Sequence, residues 1–113
     1  MKNLDQIRAQ NALGIGIGQG AGEGDSVTKK VTAMVRENGL LGALAFAIEK
    51  EHGYSDVFNA VVNHLVVVER LPEQQGGWQL RNFMNFLCGL NSSALRSLTA
   101  EVLAYLSYLR RFS

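Results

Sequence analysis

Three observations predict an all-α fold, a compact single-domain bundle of about six helices. Apolar residues recur at helical spacing in segment after segment, and the breaks between segments fall on capping residues and glycines. Only one run, VVNHLVVV at 61–68, is rich enough in β-branched residues to suggest a strand. One strand without a partner run cannot make a sheet, so that run is expected to be helical as well.

The first helix covers residues 3–13. Asn3 can cap it, and Gln6 stands where a capping box places a Glu or Gln. Leu4, Ile7 and Leu13 give it a narrow apolar edge, so it is expected to lean on the other helices. Residues 14–24, GIGIGQGAGEG, hold six of the chain's twelve glycines, one at every second position. Dinucleotide and Walker-type phosphate loops both need glycines five apart. These glycines all fall on even numbers, so the stretch reads as a flexible surface loop.

Asp25 and Ser26 cap a second helix, with Val27, Val31, Met34 and Val35 on one side and Asn38-Gly39 as its stop. Residues 40–51 (LLGALAFAIEKE) are apolar on several sides, as befits a central helix, and Gly53 ends them. Ser55 opens a fourth helix carrying Val57, Phe58, Val61, Val62, Leu65 and Val66. Pro72 and Gly76-Gly77 mark a loop. Residues 78–90 form a fifth helix with Phe83, Phe86, Leu87 and Leu90 inward, broken at Gly89.

The last helix, from Asn91 to the end of the chain, is the most regular. Ala94, Leu95, Leu98, Val102, Tyr105, Leu106, Leu109 and Phe112 share one stripe. The opposite face carries Arg96, Ala100, Leu103, Ala104, Ser107, Arg110 and Arg111, with the acid Glu101 at its edge. A merely solvated face usually mixes Glu and Lys. Arginines set among small and apolar residues suit a surface that is covered by something else.

Composition fits an ordinary folded chain, with 47% hydrophobic and 19% charged residues. The single cysteine, Cys88, excludes an intramolecular disulfide and fits a reducing compartment. No uncharged run approaches the roughly 20 residues of a membrane span, and the N-terminus lacks the apolar core of a signal peptide. A soluble cytoplasmic domain is therefore expected. Net charge is +1, but residues 40–75 carry two Lys/Arg against five Asp/Glu, and residues 76–113 carry four against one. The positive excess sits in the last third of the chain.

No catalytic or metal-binding pattern emerges. His52, His64 and Cys88 show no CxxC, HxxxH or HExxH spacing, so neither a zinc site nor a cofactor is expected. A Cys88/His64 nucleophilic pair is open to any two residues that meet in space, but Cys88 follows Phe86-Leu87 and reads as a buried, inert thiol. Glu49 and Glu51 face different sides of a helix, and Pro72 separates Glu69 from Glu73. What remains is positive charge: Arg96, Arg110 and Arg111 on the last helix, and Lys29-Lys30 in an early turn of the second. Arg8, Arg36 and Arg81 are available to either patch. Arg96 and Arg110 lie roughly 21 Å apart along the axis, about three phosphate steps of a nucleic-acid strand. The alternative is that these charges only solvate the surface. No aromatic residue is spaced to stack bases among them.

The segments MKNLDQIRAQNAL, SVTKKVTAMVRENGLLGALAFAIEK and YLSYLRRFS resemble, in order, the small helical subunit of type III-B CRISPR (Cmr) RNA-targeting complexes. The closing L-x-x-L-R-R-F is the most telling piece, whereas the glycine-rich stretch 14–24 has no counterpart and reads as a variable insertion. The resemblance implies an all-α protein without nuclease activity that serves antiviral defence. Copies would stack in a short filament beside other Cmr subunits and line the channel where guide and target RNA pair. It places RNA-binding positions at Lys29, Lys30, Arg110 and Arg111, with Arg8 and Arg96 beside them. Ala100, Leu103, Ala104 and Ser107 are then expected to make subunit contacts. No membrane and no small-molecule substrate are implied. A structural adaptor that never touches RNA is the competing expectation.

Overall fold

The computed structural model describes residues 2–15, 23–50 and 52–112. Its five helices are α1 (Leu4–Leu13), α2 (Glu23–Lys50), α3 (His52–Val67), α4 (Leu80–Cys88) and α5 (Ser92–Arg111). No strand occurs among the described residues, so the β-branched run is helical, on α3. The expected number of about six reflects the break at Gly39. That residue sits at φ 82°, ψ 165° inside α2, a region that only glycine enters without strain, and divides α2 into two limbs. Most of the glycine-rich stretch, residues 16–22, lies outside the described residues. α2 begins at Glu23, two residues before the expected cap.

Local chemistry sets the helix ends. Asn3 and Gln6 close a reciprocal capping box on α1, each hydrogen bond 2.8 Å long. Asn91 accepts from the backbone N–H of Ala94 at 2.8 Å and so starts α5. α3 ends in a tight turn. The Arg70 N–H donates to the Leu65 carbonyl, the Glu69 N–H donates to that of Val66, and Glu69 takes the left-handed conformation at φ 61°. α4 begins at Leu80, two residues later than expected, after Gln79 in extended backbone, and the Trp78 indole N–H donates back to the Pro72 carbonyl at 2.7 Å.

α2 packs on α3, α4 and α5, and α5 packs on α1, α2 and α3, so these two helices hold the centre. The core joins Val31, Val35, Leu40, Ala43, Leu44 and Ala47 of α2 to Val57, Phe58, Val61 and Leu65 of α3. Phe83 and Leu87 of α4 and Leu98, Val102, Tyr105, Leu106 and Leu109 of α5 complete it. The α5 stripe is therefore inward as predicted from Leu98 to Leu109, whereas Ala94 and Leu95 are half-buried and Phe112 remains 42% exposed beyond the last turn. A Cβ at Gly53 would stand 3.1 Å from Val27 Cγ2, so the start of α3 approaches α2 closely there. By length and composition Ser26–Lys50 has the apolar character of a membrane span. Here the break at Gly39 interrupts it, and Val31, Val35, Leu40, Ala43, Leu44 and Ala47 belong to the core.

α1 is held differently. Ala12 is its only buried residue, and Leu4 and Leu13 are exposed. Polar contacts dock it. Arg8 reaches the Glu101 carboxylate through Nε (2.8 Å) and Nη2 (2.7 Å), and Nη1 donates to Asp5 at 2.8 Å. Asn11 Nδ2 donates to His64 Nδ1 at 2.9 Å, so His64 carries its proton on Nε2 and donates to Glu101 at 2.9 Å. The His64 ring stacks on Tyr105, centroids 4.2 Å apart. Glu101 is thus not at the edge of an outward face but 4% exposed under α1. Cys88 is also corrected: at the last turn of α4 it is exposed, not buried.

Candidate nucleic-acid interface

The first limb of α2 turns Val31 and Val35 into the core, which leaves Lys29, Thr32 and Arg36 on a flank that meets α5. α5 buries Leu106 and Leu109 and presents Leu103, Ser107, Arg110 and Arg111 beside that flank. The result is a groove lined by Thr32, Arg36, Leu103, Leu106, Ser107, Arg110 and Arg111. Three guanidinium groups border one cleft, and no acidic residue is in its lining among the described residues. Each is a planar fork of N–H donors whose geometry matches a phosphate. Of the two hydroxyls, Thr32 already donates to the Thr28 carbonyl at 2.8 Å, so Ser107 supplies the hydroxyl donor.

Helical spacing extends this line. Lys29 lies two turns before Arg36 and within about 20° of it, on the same side of α2. Lys30, one residue on, is about 120° from Arg36 and faces the other flank. Both lysines are exposed, but only Lys29 continues the groove.

Arg96 belongs to a second groove. Asn38, Gly39, Leu40, Leu41, Leu95, Arg96, Thr99, Ala100 and Leu103 line it, and Leu103 joins it to the first. This second cleft is mostly apolar, opened by the glycine break in α2. The expected subunit-contact residues divide accordingly. Ala100 and Leu103 line the apolar groove, and Ser107 lines the arginine groove. Ala104 is half-buried and lines neither.

Arg8 is apart from both grooves. Its guanidinium is committed to Glu101 and Asp5, which raises its pKa further and leaves it a docking role for α1. His64 has no nitrogen left for a nucleophile: one takes a bond from Asn11, the other gives one to Glu101. Burial lowers its pKa despite the opposing pull of Glu101. Burial also pushes the Tyr105 phenol up to about 12. These are properties of a packed polar core.

Sequence reasoning counted Arg36 only as a spare charge. Its spacing from Lys29 was readable, but the pairing of α2 with the end of α5 is a long-range contact that no local pattern announces.

The described residues thus form an all-α fold with an arginine-lined cleft between α2 and α5. A family model described as CRISPR-associated protein (Cas_Cmr5) matches residues 4–113, and the chain belongs to that family. It is a small CRISPR-associated subunit of the type III-B complex. Comparison with curated proteins and with solved structures gives no match.

Proposed function

We propose that this protein is a non-catalytic small subunit of a cytoplasmic type III-B effector, and that its α2–α5 groove contacts the backbone of RNA during antiviral defence. The observation that carries this reading is the convergence of Arg36, Arg110 and Arg111 on one cleft whose lining, among the described residues, holds no acid. Lys29 prolongs the line. Phosphate contacts of this kind hold a strand in place without reading its sequence, and a few per copy give weak, salt-sensitive binding. Copies stacked in a filament beside the other Cmr subunits multiply those contacts along the guide–target duplex, so avidity supplies what one copy lacks. Lys30, Arg96 and Arg8 are left out of the contact set because they face another flank, another groove and a buried carboxylate.

The test is charge reversal. Arg110→Glu with Arg111→Glu, assembled into the complex, is expected to weaken target-RNA binding while assembly is retained. Unchanged RNA binding would leave the protein as a structural adaptor.

A further inference from the structure

The apolar groove at the Gly39 break has a complement on the same molecule. We infer that this groove receives the turn after α3 of a second copy, with Val67 as the apolar anchor and Glu69 and Glu73 paired to Arg96. The inference rests on the proposed stacking of copies and names the surfaces that stack.

Three observations support it. The groove is lined by Leu41, Leu95, Ala100 and Leu103, and among the described residues Arg96 is the one charged residue in its lining. Arg96 is exposed and has no ion-pair partner among the described residues. A concave apolar surface with one cation suits an apolar side chain flanked by acids.

The turn after α3 offers that combination. Val67 is 59% exposed, one of the largest apolar exposures among the described residues. Glu69 and Glu73 border the same surface patch, whose one cation, Arg70, is turned to Ser97 on α5, and neither acid has an ion-pair partner among the described residues. The backbone bonds that close the turn hold Glu69 in the left-handed conformation, so this acid is displayed on a fixed turn, and Glu73 follows just after Pro72. Charge complementarity is thus arranged around an apolar contact at both surfaces.

Their placement also suits stacking. Arg70, within the turn, donates to Ser97 Oγ at 3.0 Å. Ser97 stands about 120° around α5 from Leu103, which lies in the groove. The turn therefore lies on a flank of α5 next to the groove and does not line it. A contact between unlike surfaces is head-to-tail, and it propagates as a filament or closes as a ring.

The experiment is a charge swap on the full chain, followed by sedimentation velocity up to millimolar concentration in reducing buffer, because Cys88 is exposed. Wild-type protein is expected to associate with rising concentration. Arg96→Glu alone, and Glu69→Lys with Glu73→Lys alone, are each expected to weaken association by about tenfold or more, since like charges then meet. Mixing the two variants should restore it. In the mixture every groove of one variant finds a compatible turn on the other. Circular dichroism of each variant controls for folding.

Wild-type protein that stays monomeric throughout overturns the inference, and so does association that the swaps leave unchanged. The second result leaves stacking intact through another face. The RNA-contact reading fails separately, through the Arg110/Arg111 reversal, which should not alter self-association.

Discussion

The guanidinium of Arg8 on α1 closes on the carboxylate of Glu101 on α5, with N–O distances of 2.8 and 2.7 Å. The two residues are 93 positions apart, and Glu101 is nearly sealed from solvent. This pair decides where α1 goes. With a single buried residue, α1 has little apolar surface to hold it, so the polar contacts of Arg8 and Asn11 fix its position.

Removing one partner of such a pair strands the other as a buried charge. Arg8→Met is therefore expected to destabilise the protein by about 3 kcal/mol. Urea unfolding followed by circular dichroism measures it. Under conditions where the variant stays folded, its RNA binding should match the wild type, because Arg8 lies outside the α2–α5 groove. A stable Arg8→Met variant with lost RNA affinity contradicts both parts.

Acid should weaken the fold in two stages. Burial holds the His64 pKa below its ordinary 6.5. For Glu101 burial is the largest influence and pulls upward, but the hydrogen bonds from Arg8 and His64 and their charges together outweigh it and leave the pKa below 4.5. In each case the unfolded chain binds the proton more readily, so stability rises with pH. The His64 contribution is whole above its unfolded pKa and is lost as pH falls toward the folded one. The Glu101 contribution follows in more acid solution, below its own unfolded value. Urea midpoints at about pH 7.5, 5.5 and 3.5 should fall at each step. In His64→Gln the first fall should disappear. Equal wild-type midpoints at the two higher values contradict this.

Much of the fold was legible because periodicity and capping are local. The α5 stripe, the Asn3–Gln6 box, the Gly39 stop and the helical reading of VVNHLVVV needed no tertiary information. Glu101 was misread because it lies at the margin of the α5 core stripe, where cover depends on whether another helix docks. α1 does dock, and the clue was that α5 has one acid while α1 has one arginine. Cys88 failed for a related reason. Its apolar neighbours Phe86 and Leu87 turn inward, but the last turn of a short helix points the next residue out. The basic face of α5 was readable from spacing, whereas its division into an arginine groove and an apolar groove depends on how α2 breaks and crosses it.

That break gives a third prediction. A Cβ at Gly39 meets no atom within 4 Å, so a substitution there is resisted by backbone conformation alone. Gly39→Ala is expected to cost about 2 kcal/mol, the order of strain for a side chain at that φ and ψ. Thermal unfolding measures it. An unchanged melting temperature contradicts the view that the left-handed break is required.

The central claim, that phosphates sit in the α2–α5 groove, is tested most directly by the salt dependence of target-RNA binding by the assembled complex. The comparison is between wild type and Arg36→Ala/Arg110→Ala/Arg111→Ala. Each lost phosphate contact should reduce the slope of log affinity against log salt by roughly 0.7–0.9 per copy of the subunit. A shallower slope with assembly intact is the predicted result. Parallel lines of equal slope would contradict it.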